Sequence, residues 1–199
     1  MLQGGIHPAH DLAFYTRVLS ALRQRFPQLY LHSLSPAEVS ALAVREKLPV
    51  REVLTRLRAA GLDSLPGAAE ILVDRVRRLV SPGKPMTGEW LDVMRAVAGL
   101  GMRATATMTF GLGESLAERI ESLERVRALQ DETGGVFRAF IPWPFSPAAT
   151  RLAHLPATDA LTYLRMVAIA RLYLDNIRHI AAGWVTEGTR LAEIALHGG

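Results

Sequence analysis

The residues of this chain best suited to chemistry fall at the ends of short apolar runs. In "HSLSP", His32 ends such a run. It is placed either to contact a ligand or to serve as a satisfied structural histidine. In "DSLPGAAEILVDRVR", Asp63 stands at a strand end and Glu70 at the start of a helix. A carboxylate there, aimed into a cavity, would hold an amine or a sugar hydroxyl. A carboxylate near a helix N-terminus is equally favoured by the helix dipole, with no ligand at all. "TATMTF" spaces Thr105, Thr107 and Thr109 by two. That puts three hydroxyls on one strand face, either lining a wet interior or expressing β propensity. "FIPWPFSP" sets Trp143 between prolines, a rigid aromatic strand end that suits stacking on a planar ligand or plugging an apolar gap. The acidic "QDETGG" brings no histidine or second carboxylate to metal-ligand spacing and reads as a helix end. A Ser–His–Asp signature, a P-loop and a zinc motif are all lacking.

The elements that would position these residues alternate. Strand-like runs occur at the opening "LQ", "LYLHSL", "GLDSLP", "MRATATMTF", "VFRAFIPW" and "IRHIAAGWV", with helical stretches between them. Residues 11–26 carry an apolar face of helical period at Leu12, Tyr15, Leu19 and Leu22. Ser35, Pro36 and Glu38 form a capping-box signature. Helices are also expected over 50–60, from a Thr87 cap to Gly101, over 116–133, from a Thr158 cap to about Asn176, and after Gly188. This alternation argues for a parallel sheet with crossover helices, either doubly wound or a (β/α) barrel. "QGGIHP" is a poor phosphate-binding fingerprint, whereas conspicuous residues follow nearly every strand, as in a barrel. The expected fold is therefore α/β: residues 1–199 as a single partial (β/α) TIM-type barrel domain of about six strand–helix units. Its unpaired edges should promote self-association.

Composition narrows the partners. Apolar residues make up 49% and charged residues 21% of the 199 positions. That is ordinary for a soluble domain. The net charge is +4 and the pI about 9.9, but the arginines are scattered along helix faces such as "RLRAAG" and "DRVRRLV". They read as solvated faces and not as a nucleic-acid footprint. No run approaches the ~20 apolar residues of a membrane span. Nor is a secretory signal visible, so no membrane partner and a cytoplasmic location are expected. The cysteine count is zero, which excludes disulfides, thiolate nucleophiles and cysteine-ligated metal or iron–sulfur sites within these residues.

Several longer strings carry a resemblance: "GLDSLPGAAEILVDRVRRLVSPGKP", "TATMTFG", "LQDETGG", "AFIPWPFSP" and "AIARLYLDNI…GWVTEG". Together they resemble the cyclic dehypoxanthine futalosine synthase family of radical S-adenosylmethionine (SAM) enzymes, in the futalosine route to menaquinone. "IPWPF" favours this family over aminofutalosine synthase and the deazaflavin (F0) synthase subunits. The resemblance implies a (β/α) barrel, SAM and a [4Fe–4S] cluster as cofactors, and cyclisation of a nucleoside-like substrate. It implies SAM contacts at Gln3, Gly4, Gly5, Ser35 and Glu70, and substrate contacts at His32, Asp63, Thr107 and Trp143. The family's cluster motif, C-x₃-C-x₂-C after the first strand, has no counterpart here, so no cluster is expected in this chain. Met1 would fall partway into the second barrel strand, with the cluster segment encoded upstream or supplied by a second chain.

Other positions depart from the family pattern. "GH(V/I)ET" reads "GLGES", with Leu112 for the histidine, and an "AH" reads Val97-Ala98. "PFQPxNT" reads "PFSPAAT", and "QASWV" reads "AAGWV". The glycine run after Pro66 is one residue short, and "TGGF" has gained Val136. Two alternatives follow. The chain is a cluster-less, catalytically inactive homologue or gene fragment that at most binds a nucleoside-like ligand, or it serves the related aminofutalosine or deazaflavin chemistry.

Overall fold

Helices begin where a side chain can accept from the first free backbone N–H groups. In the computed structural model, which describes residues 1–198, Asp11 caps α1 (Leu12–Arg25) by accepting from the Phe14 N–H at 2.7 Å. Ser35 caps α2 (Pro36–Glu46), and Glu38 reaches back to the Ser35 N–H at 2.7 Å, completing the expected capping box. Helix α3 (Val50–Ala59) stops before Gly61, which turns the chain at φ +113°. Next come α4 (Asp74–Val80), α5 (Thr87–Gly99) and α6 (Leu116–Glu132), the last closed by a Ser115–Glu118 capping box. The chain ends in α7 (Ala160–Tyr173), α8 (Trp184–Glu187) and α9 (Thr189–Gly198).

Two expected caps shift. Met86, not Thr87, is the N-cap of α5; Thr87 opens the first turn and donates its N–H to Asp74 Oδ1 at 2.9 Å. Asp159, not Thr158, caps α7, because its carboxylate reaches the Thr162 N–H at 2.6 Å. Helix α7 also ends at Tyr173 and not near Asn176. The Asn176 amide is drawn onto α6, donating to Arg127 O at 3.0 Å and Asp131 Oδ1 at 2.8 Å.

The strands β1 (Ser64–Leu65), β2 (Arg103–Phe110), β3 (Phe137–Pro144) and β4 (His179–Ile180) form one parallel sheet in the order β1-β2-β3-β4. Two further parallel bridges, His32 to Ser64 and Leu2 to Ser33, extend it. Six strand positions thus lie side by side in chain order, with helices in every connection, as a partial (β/α) barrel requires. Among the described residues, the outermost positions, at Leu2 and at β4, pair on one side only.

Along β2, Ala104, Ala106, Met108 and Phe110 are buried beneath the helices, with Trp90, Met94 and Phe140 in the same core. The alternate residues Thr105, Thr107 and Thr109 share the other face, as their spacing predicts. Among the described residues, no helix is long and apolar enough to cross a membrane.

Candidate functional site

The C-terminal ends of parallel strands are where barrel enzymes assemble their sites. Here those ends carry the unusual backbone. Leu34 at φ +61° directly follows the Ser33 bridge, and Ala68 at +43° and Glu70 at +49° lie in the loop after β1, none of them glycine. Such strain persists only where surrounding contacts over-determine it, and it clusters at functional sites.

After β1 the chain runs alongside β2 instead of turning away. The Gly67 N–H donates to Thr105 Oγ1 and the Ala69 N–H to Thr107 Oγ1, each at 3.1 Å, and the Thr109 N–H donates to Glu70 O. The period-two threonines therefore zip the β1–α4 loop onto β2. Glycine at 67 is required by that closeness: a Cβ there would stand 2.7 Å from the Thr107 backbone N and 2.9 Å from Thr105 O.

This zipper presents Glu70 to a cleft of about 870 Å³, within the usual size of small-molecule sites. The cleft is bounded by Glu70 and Thr109, by Lys84 from the α4–α5 loop, by Leu112 and Phe145 after β2 and β3, and by Arg151. Glu70 Oε1 is ion-paired with Lys84 Nζ, while Glu70 Oε2 is buried without a hydrogen bond, 3.7 Å from Arg77 Nη1. A carboxylate and an ammonium facing one cleft suit a ligand with both hydroxyl and acidic groups. Lys84 lies in "SPGKP" and was not legible as a site residue, since a lone lysine in a loop carries no pattern.

Trp143 stands at the end of β3, in register with Thr109. It packs against Gly183, where an added Cβ would lie 2.9 Å from Trp143 Cζ3. The Gly183 N–H is held by the hydroxyl of the buried Tyr163 at 2.9 Å. The ring thus takes space that a side chain at 183 would fill.

The glycine pair belongs to a second recess. Gln3 and Gly4 line a pocket of about 300 Å³ with residues of α1. Gly5 lies in the adjoining pocket with Glu38. The buried Glu38 carboxylate accepts from the Gly4 N–H at 3.1 Å and from the Ser35 hydroxyl at 2.7 Å. Ser35 and Glu38 therefore anchor the opening loop to α2. The Ser35 hydroxyl is engaged within the capping box, which makes it a scaffold for that loop. His32 accepts or donates at Nδ1 to Ser64 Oγ, 2.6 Å away. Burial, with the positive charges of the Met1 ammonium and Arg138, pulls its pKa below the ordinary 6.5.

Asp63 precedes β1 and so sits at the N-terminal end of that strand, whereas Glu70 follows it. Asp63 Oδ2 accepts from Arg23 Nη2 at 2.6 Å and from the Leu31 N–H at 2.7 Å, fastening α1 and the His32 strand. "DRVRRLV" is a correction, because its Arg77 is 1% exposed and not on a solvated face. Among the described residues, no group of three or more acidic, histidine or cysteine side chains is placed to hold a metal ion.

Comparisons place this geometry among known proteins. Residues 134–199 match a family model described as the CofH/MqnC C-terminal region. The whole chain is 44% identical to a cyclic dehypoxanthine futalosine synthase of Streptomyces coelicolor, covering 50% of that protein. Over 98% of its length it is also 44% identical to a 5-amino-6-(D-ribitylamino)uracil–L-tyrosine 4-hydroxyphenyl transferase of Methanoculleus marisnigri, covering 54% of it. The chain spans about half the length of the curated relatives it matches. Among solved structures, methylornithine synthase (PylB) superposes with a TM-score of 0.74 at 16% identity, over 95% of this chain and 50% of that one. That likeness supports the barrel fold.

Proposed function

We propose that this chain, whose residues 134–199 carry the C-terminal region of the CofH/MqnC family, supplies the ligand-binding part of a radical SAM barrel. The activity it serves is the cyclisation of dehypoxanthine futalosine towards menaquinone. The observation that carries this reading is the 44% identity running through the whole chain. The cleft at the strand ends agrees with it. Glu70 would accept from ligand hydroxyls, Lys84 would meet an acidic group, and Trp143 would wall the mouth beside Thr109. The Gln3–Gly5 loop, tied down through Glu38, would meet a ligand amine. SAM, when bound, supplies an adenosyl group as a radical source.

The iron–sulfur cluster does not fit these residues. Such clusters are held by cysteine thiolates, and the 199 residues contain none. A separate segment or second chain would have to bring the thiolates. Calorimetric titration of the purified chain with S-adenosylhomocysteine tests the binding role. Saturable binding that weakens about tenfold in Glu70→Gln is expected. Wild-type chain that shows no heat at millimolar ligand would end this reading.

A second reading is deazaflavin-type chemistry, favoured by the equal identity to the Methanoculleus marisnigri transferase. Competition between dehypoxanthine futalosine and 5-amino-6-(D-ribitylamino)uracil for the chain separates the two.

A further inference from the structure

Arg77 is a buried charged side chain beside the cleft, at 1% exposure. Burying a guanidinium without partners would be severe, so its contacts identify its task. Its Nε donates to Pro85 O at 2.9 Å, and Nη2 donates to the same carbonyl. Nη1 donates to Ala69 O and, at 3.2 Å, to Ile71 O. Those two carbonyls flank Glu70, and Pro85 adjoins Lys84. One guanidinium thus joins the two loops that bear the paired Glu70 and Lys84. It also brackets the residue held at φ +49°. The free Glu70 oxygen lies 3.7 Å from the same Nη1.

We propose that Arg77 is the positioning residue for Glu70: it locks the 69–71 backbone in its left-handed turn and sets the carboxylate opposite Lys84. The inference rests on the reading of this cleft as an adenosyl-ligand site. Arginine is needed for geometric reasons. Its planar fork presents donors in several fixed directions, whereas a lysine ammonium is a single point on a flexible stem. When a ligand draws Glu70 away from Lys84, Arg77 remains beside it as the balancing charge.

The test uses the full chain with Arg77→Lys, Glu70→Gln and the double variant, titrated with S-adenosylhomocysteine. Each single change should weaken binding about tenfold, within the range of coupling between contacting residues. The double variant should bind no worse than Glu70→Gln, because Arg77 acts through Glu70. Additive losses, or wild-type affinity in Arg77→Lys, would overturn the proposal.

Hydrogen exchange separates this from failure of the ligand reading. Arg77→Lys should lose amide protection in residues 67–72 and 84–90 together while α6 stays protected. Unchanged protection there sinks the clamp even if the wild type binds nothing. Should Arg77→Lys not fold, the Arg77 Nε–H resonance in Glu70→Gln decides: a shift relative to wild type supports the pairing, and an unmoved signal refutes it.

Discussion

Glu114 and Arg119 form an enclosed ion pair at the end of β2, with Oε1 2.7 Å from Nε and the glutamate side chain fully shielded from solvent. The same carboxylate accepts from the Gly111 and Leu112 N–H groups at 2.7 and 2.6 Å. The guanidinium lies 5.1 Å from the centre of the Phe110 ring. Glu114 therefore folds the "GLGES" turn, which places Leu112 on the cleft. Removing one partner of a buried pair leaves the other charge stranded. Glu114→Ala should cost about 3 kcal/mol or more. In a chain of this size that is a fall in Tm of about 6–12 °C, measurable by circular dichroism.

Asp63 separates stability from binding. Its pair with Arg23 is about one-third exposed on both sides, so screening limits its worth, but the Leu31 N–H also depends on it. Asp63→Ala should lower stability by about 1–2 kcal/mol in urea unfolding. It should leave the S-adenosylhomocysteine affinity of the cleft unchanged. A loss of affinity beyond the loss of folded protein would assign Asp63 to the ligand site.

His32 sets a pH dependence. Its folded-state pKa lies below the unfolded value, so the unfolded chain binds more protons through that range and stability rises with pH. The contribution is present above the ordinary 6.5 and is lost as pH falls through the lowered folded value. Urea midpoints measured from roughly pH 7.5 down to 5 should drop. The drop should be shallower in His32→Gln, which does not titrate there. An identical slope in both proteins would remove His32 as the cause.

Two alanines occupy backbone that suits other residues. Ala68 lies at φ +43° in the loop after β1, and Ala149 at φ +59° in the loop after β3. Left-handed backbone costs an alanine about 1 kcal/mol or more, and glycine or asparagine less. Ala149→Asn should raise Tm by about 2–4 °C. The gain for Ala68→Gly should be smaller, because glycine loses more entropy on folding.

Gly67 tolerates nothing larger. The atoms a Cβ would meet all belong to the β2 backbone and cannot rotate away. Gly67→Ala should part the β1–α4 loop from β2, lowering stability by about 1–3 kcal/mol and weakening ligand binding with it. Full affinity in a folded Gly67→Ala chain would show that the zipper does not shape the cleft.

The alternation of strands and helices, the Ser35–Glu38 box, the helical face over residues 11–26 and the shared face of Thr105, Thr107 and Thr109 were legible in the residues themselves. Each depends on contacts within a few positions or on the period-two geometry of a strand. Glu70 reads in sequence as a carboxylate at a helix start, yet α4 begins only at Asp74 and Glu70 lies in the loop before it. What only the tertiary structure decided lies across long separations. Asp63 and Glu70 both read in sequence as ligand carboxylates, yet a strand of two residues stands between them. Asp63 answers to Arg23, 40 residues away, and the threonine hydroxyls to amides 38 residues away. Arg77 reads as one more charge on a basic helix. Only the packing of two loops over it turns that charge inward, because burial belongs to the assembled fold and not to the local chain.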